Sequence, residues 1–466
     1  MSAADKPIQR VAILHSEEHE PWVTAAVAFA DRGHSLRCVA TQDPTAAREA
    51  SAVLDLSTDG GAGDHVWSFT DRDGVEVLAG VAAANAVLKG DGTLEVHIRT
   101  RDRILARGQV KVRRRVGGTI ASAMEALGPM LVIAATPGGD IPAPTVSAAS
   151  HPPRAPHRKL VDAVAVLRTA AQAARGAVTC WRWSVAKWPG DIDEFLAGPA
   201  RLRRLRWYGP RRSAFWADPH VVVSPDGEWL FVEDLDRSTG LGRIRATQFL
   251  DGELLGRDVV LANEHHLSFP QVYRVGERWL ATVETCAARN PVYTFDHLGG
   301  PWREATDLPA LPDHLADPVL VFDQEGRLTE AWGTDARLDP NAVFVRYECS
   351  AEGWQRVDLA TEVDVTRTRG GGQLDLRRGL RAVQDCGETY GAAAEVIDLS
   401  DGAGGTRLVA ADVGRGYDHR RRKGVHTVTW DAAGESVWID GWYRRATLFG
   451  AVLRLREQRH SRECQG

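Results

Sequence analysis

Phe215-Trp216-Ala217-Asp218-Pro219-His220 has a partial echo in Ala316-Asp317-Pro318, and His265-His266-Leu267-Ser268-Phe269-Pro270 lies between the two. Gln384-Asp385-Cys386 and Gly424-Val425-His426-Thr427 follow. A polar knot bearing an acid or a histidine thus returns roughly every 40–70 residues inside strand-like sequence, the mark of a radial β repeat. Hairpins surround the knots. His220–Val223, Asp226-Gly227 and Trp229–Glu233 form one, Gln271–Arg274, Gly276 and Trp279–Val283 a second, and Leu320–Phe322, Glu325-Gly326 and Leu328–Trp332 a third. Tight hairpins at this spacing indicate propeller blades rather than a sandwich. The knots count five blades over residues 178–460.

The chain changes character near residue 140. Val11–Leu14 reads as a buried strand, Glu20–Arg32 as a helix ended by Gly33, and Leu36–Ala40 as a second strand. Val53–Ser57 reads as a further parallel strand, and Ala121–Ala134 as the helix or strand that ends the layer. Strand, helix and strand in about 30 residues make a βαβ unit. Residues 136–157 are rich in Pro, Ala and Gly, as an extended linker is, and Leu160–Arg175 reads as a helix. The expected fold is therefore an α/β N-terminal domain over 1–135, a linker and helix over 136–177, and an all-β five-bladed propeller over 178–460.

Composition narrows the classes. At 466 residues, with 44% hydrophobic and 26% charged content, the chain is long enough for two globular domains. A net charge of −5 gives no general attraction to nucleic acid or anionic membrane. The six cysteines have no CxxC or CxxH spacing, which argues against a disulfide scaffold or a zinc site. No P-loop, HExxH or dinucleotide-binding glycine motif occurs, so no metal or cofactor is expected. No run approaches the ~20 apolar residues of a membrane span, and the N-terminus lacks a signal-peptide pattern, so a cytoplasmic protein is expected. Only six residues are Lys against heavy Arg, Ala and Gly use, which suggests a GC-rich, actinobacterial coding bias.

In a propeller the innermost strands send polar residues into a shared channel. Asp218, His266, Glu284, Asp317, Asp385 and His426 would then converge although far apart in sequence. Clustered carboxylates push one another's pKa values apart, and a histidine among them can move protons near neutral pH. Trp216 offers an apolar platform for a sugar face or a core side chain. Asp317, like any Asp before Pro, can instead close a local turn. Arg378 and Arg381, ahead of Gln384 and Asp385, have the forked geometry that grips phosphate oxygens.

The knots carry a resemblance. Phe215–Pro219, His266–Pro270, Val283-Glu284-Thr285, Ala316-Asp317-Pro318, Gly370-Gly371-Gly372, Gln384-Asp385-Cys386 and Gly424–Thr427 with Ile439-Asp440-Gly441 form an ordered series. The series resembles bacterial and plant proteins that join a formyltransferase-like N-terminal region to a five-bladed propeller, glucosamine inositolphosphorylceramide transferases among them. Residues 54–57 and 63–69 resemble the middle of that N-terminal region. Thr70-Asp71 stand where a formyl-transferring enzyme needs a His, so a relic or binding platform is expected there.

The resemblance implies a glycosyltransferase that moves a sugar from a nucleotide-sugar donor, used as co-substrate, to a small acceptor. A place in antibiotic or other secondary-metabolite biosynthesis would fit the coding bias. Asp218, His266 and Glu284 would be catalytic. Trp216, His220, Asp317, Arg378, Arg381, Gln384, Asp385 and His426 would bind substrate. Two other readings stay open: a five-bladed glycoside hydrolase, in which channel carboxylates act as base and acid, and a non-catalytic carbohydrate-binding propeller.

Overall fold

A computed structural model describes residues 9–15, 23–27, 36–42, 50, 52–56, 66–72, 77–78, 81–89, 93–100, 103–113, 115–135, 141–142, 161, 163–164, 167, 179–197, 205–210, 215–236, 239–285, 289–313, 315–335, 344–351, 353–357, 363–364, 366–387, 391–399, 407–413 and 422–446. Most of the 136–157 linker and of the 160–175 helix expected from sequence lies outside these residues. The chain divides into two compact units, 1–171 with 360–365, and 172–359 with 366–466.

The first unit is built on one sheet. Gln9–Leu14 runs parallel to Leu36–Thr41 on one side and to Ala52–Asp55 on the other, and Val66–Asp71 continues the parallel run. Thr93–Arg99 and Arg103–Lys111 then add antiparallel strands. The helices Val81–Lys89 and Val116–Ala135 belong to the same unit. The second helix corrects the reading that no apolar run is long enough to cross a membrane. Gly118–Ala135 meets that test by length and composition, yet 67% of it is buried inside the fold, as in a core helix.

In the second unit, the strands among the described residues form three separate four-stranded antiparallel blades and one nine-stranded sheet, in which a parallel pairing of Gly372 with Val428 joins two further blades and Arg422–Gly424 pairs at the side. Blade I is Phe215–Ser224, Gly227–Asp236, Leu241–Leu250 and Glu253–Leu261; blade II is Leu267–Val275, Arg278–Thr285, Tyr293–Phe295 and Arg303–Glu304. Blade III is Leu315–Phe322, Leu328–Asp335, Phe344–Ser350 and Gly353–Val357; blade IV is Gly370–Asp375, Leu380–Asp385, Ala393–Asp398 and Arg407–Val413. Blade V takes its inner pair, Val428–Trp430 and Val437–Ala446, from late in the chain and its outer pair, Thr179–Lys187 and Trp207–Tyr208, from the start of the unit. Neighbouring innermost strands touch in cyclic order, and blade V returns to blade I, so the ring is closed without a free inner edge.

The echo in the sequence has a backbone cause. Asp218, Phe269 and Asp317 each take a left-handed conformation, with φ of 48°, 49° and 49°. Each precedes a proline, and the inner hairpin register shifts there, between Ala217 and His220, Ser268 and Gln271, and Ala316 and Val319. The bulge turns the strand at the same level in three blades. Asp tolerates this conformation better than Phe does, so blade II keeps the shape without the acid. Blade IV makes a shift of its own between Gly370 and Leu374. A Cβ at Gly370 would stand 2.8 Å from Asp317 Cβ of blade III, and one at Gly371 2.5 Å from the Val383 carbonyl carbon of the next strand in blade IV, so glycine is needed both between these blades and within the hairpin.

Apolar side chains from facing blades fill the gaps between them. Trp279 and Trp302 of blade II sandwich Phe295, with centroids at 6.2 and 5.2 Å and nearly parallel rings, and Phe231 of blade I packs onto the group. At the I–V junction Trp216, Leu230 and Trp438 share one buried cluster. A polar clasp sits beside it. Glu228 of blade I accepts hydrogen bonds from Trp438 Nε1 at 2.6 Å and Ser436 Oγ at 2.8 Å, and pairs with Lys187 at 2.5 Å. Removing that acceptor leaves the indole N–H and the hydroxyl without their partner. Glu228→Ala is therefore expected to lower unfolding free energy by about 1–3 kcal/mol, seen as a shifted urea midpoint at unchanged m value.

Candidate functional site

The site lies at the bulged ends of the innermost strands. On the second strand of blade I, Glu233 faces Ala217; on that of blade II, Glu284 faces Ser268. Both glutamates thus oppose the residue just before the left-handed position, so the two carboxylates occupy equivalent places on adjacent blades. Thr334, opposite Ala316, takes that place in blade III.

His266 joins the two glutamates. Its Nε2 stands 3.2 Å from Glu233 Oε1, and its Nδ1 accepts the Gly242 backbone N–H at 3.0 Å. The ring keeps 23% of its side-chain surface, against 7% for Glu233. Burial disfavours the charged ring, but the hydrogen bond and charge of Glu233, then the charges of Glu284 and Asp218, outweigh it and raise His266 above its ordinary value. Glu284, 19% exposed, lies 3.3 Å from Arg369 Nη2. Arg369 also grips Asp317 with Nε at 2.9 Å and Nη2 at 3.3 Å. Burial pushes Asp317 well above the ordinary carboxylate range, the Arg369 charge opposing this and Glu284 adding to it.

Asp218 is at the centre of a second, buried network. Its Oδ1 accepts the Thr427 hydroxyl at 2.9 Å and faces His426 Nε2 at 3.2 Å, while its Oδ2 accepts the Phe269 N–H at 3.2 Å. Asp440 accepts the N–H groups of Asp218, His426 and Thr427 at 3.0–3.1 Å and meets His426 Nδ1 at 2.5 Å. Trp183 packs on the His426 ring with centroids 4.4 Å apart. Potential metal-ligand atoms of Asp218, His426 and Asp440 lie within 4.8 Å of one another, each already engaged in these contacts. Burial raises Asp218 to about 6, partly offset by His426. Burial works against a charged His426, yet Asp440 and Asp218 overcome it and lift the ring to about 9.

The structure therefore brings Asp218, His266, Glu284, Asp317 and His426 to one end of the channel, and places the other expected site residues elsewhere. Trp216 is in the core between blades I and V. His220 is fully buried, with Nε2 on Val272 O at 3.1 Å; burial drives it down to about 4, so it is a neutral link between blades I and II. Arg378 sits in the blade IV hairpin, bonded to Asp375 at 3.3 Å and to Ala433 O at 2.7 Å. Arg381 is buried with its guanidinium 3.4 Å from the centroid of the Phe344 ring and bonds Thr368 O at 2.5 Å. Gln384 donates to Gly370 O at 2.6 Å, and Asp385 accepts the Gly387 N–H at 2.8 Å. Neither arginine is an open phosphate fork. Glu233 and Arg369 are members that lie outside the motif series of the sequence, and Asp440, although inside the Ile439-Asp440-Gly441 motif, has no role assigned to it there. The repeated Val232-Glu233 and Val283-Glu284 dipeptides were a signal for the first of them.

Comparisons with known proteins give no family model and no curated protein that matches this chain. Among solved structures, the α-L-arabinofuranosidase of Podospora anserina in complex with cellotriose is 11% identical, covering 52% of this chain and 95% of its own, at a TM-score of 0.37. A GH62 hydrolase in complex with xylotriose is 11% identical over 51% of this chain and 94% of its own, TM-score 0.36. The endo-arabinase of Bacteroides thetaiotaomicron is 13% identical over 50% and 93%, TM-score 0.31. At these values the likenesses assign no residue and no activity. The named neighbours are glycoside hydrolases rather than glycosyltransferases, and this corrects the expected kinship with glucosamine inositolphosphorylceramide transferases. The nucleotide-sugar-dependent transferase, and the antibiotic-pathway role attached to it, are corrected on the same finding.

The buried network makes stability depend on pH. His426 is raised from 6.5 to about 9, so its contribution is complete below pH 6.5 and is lost as pH rises through about 9. Asp218, raised from 3.8 to about 6, acts in the same direction, its contribution fading as pH rises through about 6. The thermal midpoint of the propeller is expected to fall between pH 6.5 and 9, and His426→Gln is expected to flatten that slope. A wild-type midpoint constant over this window contradicts the assignment.

Proposed function

We propose that the propeller binds a carbohydrate at this channel end and hydrolyses a glycosidic bond. The observation that carries this reading is the matched placement of Glu233 and Glu284 on adjacent blades, with the partly open His266 3.2 Å from a carboxylate oxygen of the first and feeling the charge of both. Glycoside hydrolysis needs one group to protonate the departing oxygen and a carboxylate to activate water or attack the anomeric carbon. Glu284 is the carboxylate with the more open approach and takes the second task. Protonated His266, its proton affinity raised by the neighbouring carboxylates, gives the proton as the anomeric carbon–oxygen bond breaks. The oxygen of water ends on the anomeric carbon. Asp218 and Asp317, both fully buried, shape the field and the backbone around these groups rather than touching the sugar.

A second reading, carbohydrate binding without cleavage, is favoured by the fact that each of these carboxylates already has a protein partner. The two separate cleanly in a panel of aryl arabinosides, xylosides and galactosides with matching oligosaccharides. Cleavage is expected in the wild type and is expected to fall roughly 10²-fold or more in Glu284→Gln, with an unchanged unfolding midpoint. Oligosaccharide binding by calorimetry with no product from any member of the panel would favour the second reading instead.

For the first unit, we read residues 1–135 as an α/β layer that serves as a binding platform. The parallel strands Gln9–Leu14, Leu36–Thr41, Ala52–Asp55 and Val66–Asp71 and the helix Val81–Lys89 support the α/β part of that reading.

A further inference from the structure

The surroundings of His266 fix where its proton sits. Nδ1 accepts the Gly242 N–H at 3.0 Å, which requires a lone pair on that nitrogen. The neutral ring is thereby the Nε2–H tautomer, and Nε2 faces Glu233 Oε1 at 3.2 Å. Gly242 belongs to the third strand of blade I, opposite Leu235. A Cβ there would press on the Leu267 carbonyl oxygen and stand 3.0 Å from both Glu233 Oε1 and His266 Cε1. The first obstacle is backbone, so any side chain must move the strand away from the ring. Glycine at 242 is thus required for the contact that selects the tautomer.

We propose that Gly242 is a positioning residue: its backbone N–H holds neutral His266 as the Nε2–H tautomer, so that the ring's one proton stands on the nitrogen 3.2 Å from the Glu233 carboxylate and Nδ1 stays closed to protons until this contact opens. The inference rests on the hydrolytic reading for its use, but the lock itself is a property of the folded protein alone. Four groups face the ring: Glu233 from the second strand of blade I, Asp218 from its first, Glu284 from blade II, and the Gly242 amide. The three carboxylates favour a second proton on the ring. That proton can enter only at Nδ1, where it must displace the Gly242 N–H. Gaining charge is therefore coupled to opening this contact.

Nitrogen-15 NMR of the histidine rings in the full-length protein tests this, with His266 assigned by the signal lost in His266→Gln. At pH values above the titration of the ring, the expected wild-type pattern has a protonated Nε2 and an unprotonated Nδ1. In Glu233→Gln, whose amide oxygen still accepts from Nε2, the tautomer is expected to persist while the ring titrates at lower pH. In Gly242→Ala the Nε2–H preference is expected to weaken, and if that variant does not fold the other two measurements decide. A wild-type Nδ1–H tautomer, or an even mixture, overturns the lock whether or not any glycoside is cleaved. A locked Nε2–H ring in a protein that cleaves nothing in the panel would sustain the lock and sink hydrolysis.

Discussion

One carboxylate holds three blades together. Asp218 belongs to blade I, accepts the Phe269 N–H of blade II, and meets the Thr427 hydroxyl and the His426 ring that lead into blade V. Its own N–H is taken by Asp440, 222 residues further along the chain. A left-handed residue turns its N–H out of the strand ladder, and a buried N–H without an acceptor costs about as much as a lost hydrogen bond. The carboxylates of Asp440 and Asp218 remove that cost at two successive bulges. The channel end is thus shaped first by backbone satisfaction, and the groups open to solvent, Glu284 and His266, stand on the frame this creates.

That division explains how one cluster can contain both buried and solvent-open acids. Asp218 and Asp317 are both buried, and the charge of Asp218 adds to the field felt by His266 and His426. Arg369 stands between Asp317 and Glu284 and keeps two neighbouring carboxyl groups from simply repelling each other. Every member leans on a residue from another blade, so the electrostatics of the site depend on the ring being closed.

What could be read from sequence follows this split between local and distant causes. The five blades were legible because alternation, hairpin glycines and Asp-Pro steps are set within a few residues. Asp218, Glu284 and His266 were legible because they sit in or beside those punctuated segments. Arg369 and Asp440 were not, since their roles come from partners 52–222 residues away. Arg378 misled for the opposite reason. A basic residue beside a strand suggests a ligand, while its guanidinium serves Asp375, three residues earlier. Trp216 shows the period-2 rule at its limit, because neighbours in one strand alternate between core and channel and the sequence does not say which is which. Phe269 shows that a bulge can persist where the repeat has lost its acid, so counting acids undercounts the shared geometry.

Blade V is assembled from residues 179–187 and 207–208 at one end of the unit and 428–446 at the other. The order of synthesis therefore matters. Blades I to IV can pair strand by strand as the chain lengthens, each from neighbouring sequence, whereas the outer strands of blade V must wait as an unpaired edge for more than two hundred residues. Loop closure over that span is entropically costly and sets in last. Thr427 and Asp440 arrive with the closing strands, so the acceptor for the Asp218 N–H and one grip on its carboxylate come only then. This end of the channel is consequently the part of the propeller that matures latest, and a chain truncated before residue 428 would retain most of its blades while lacking the finished cluster.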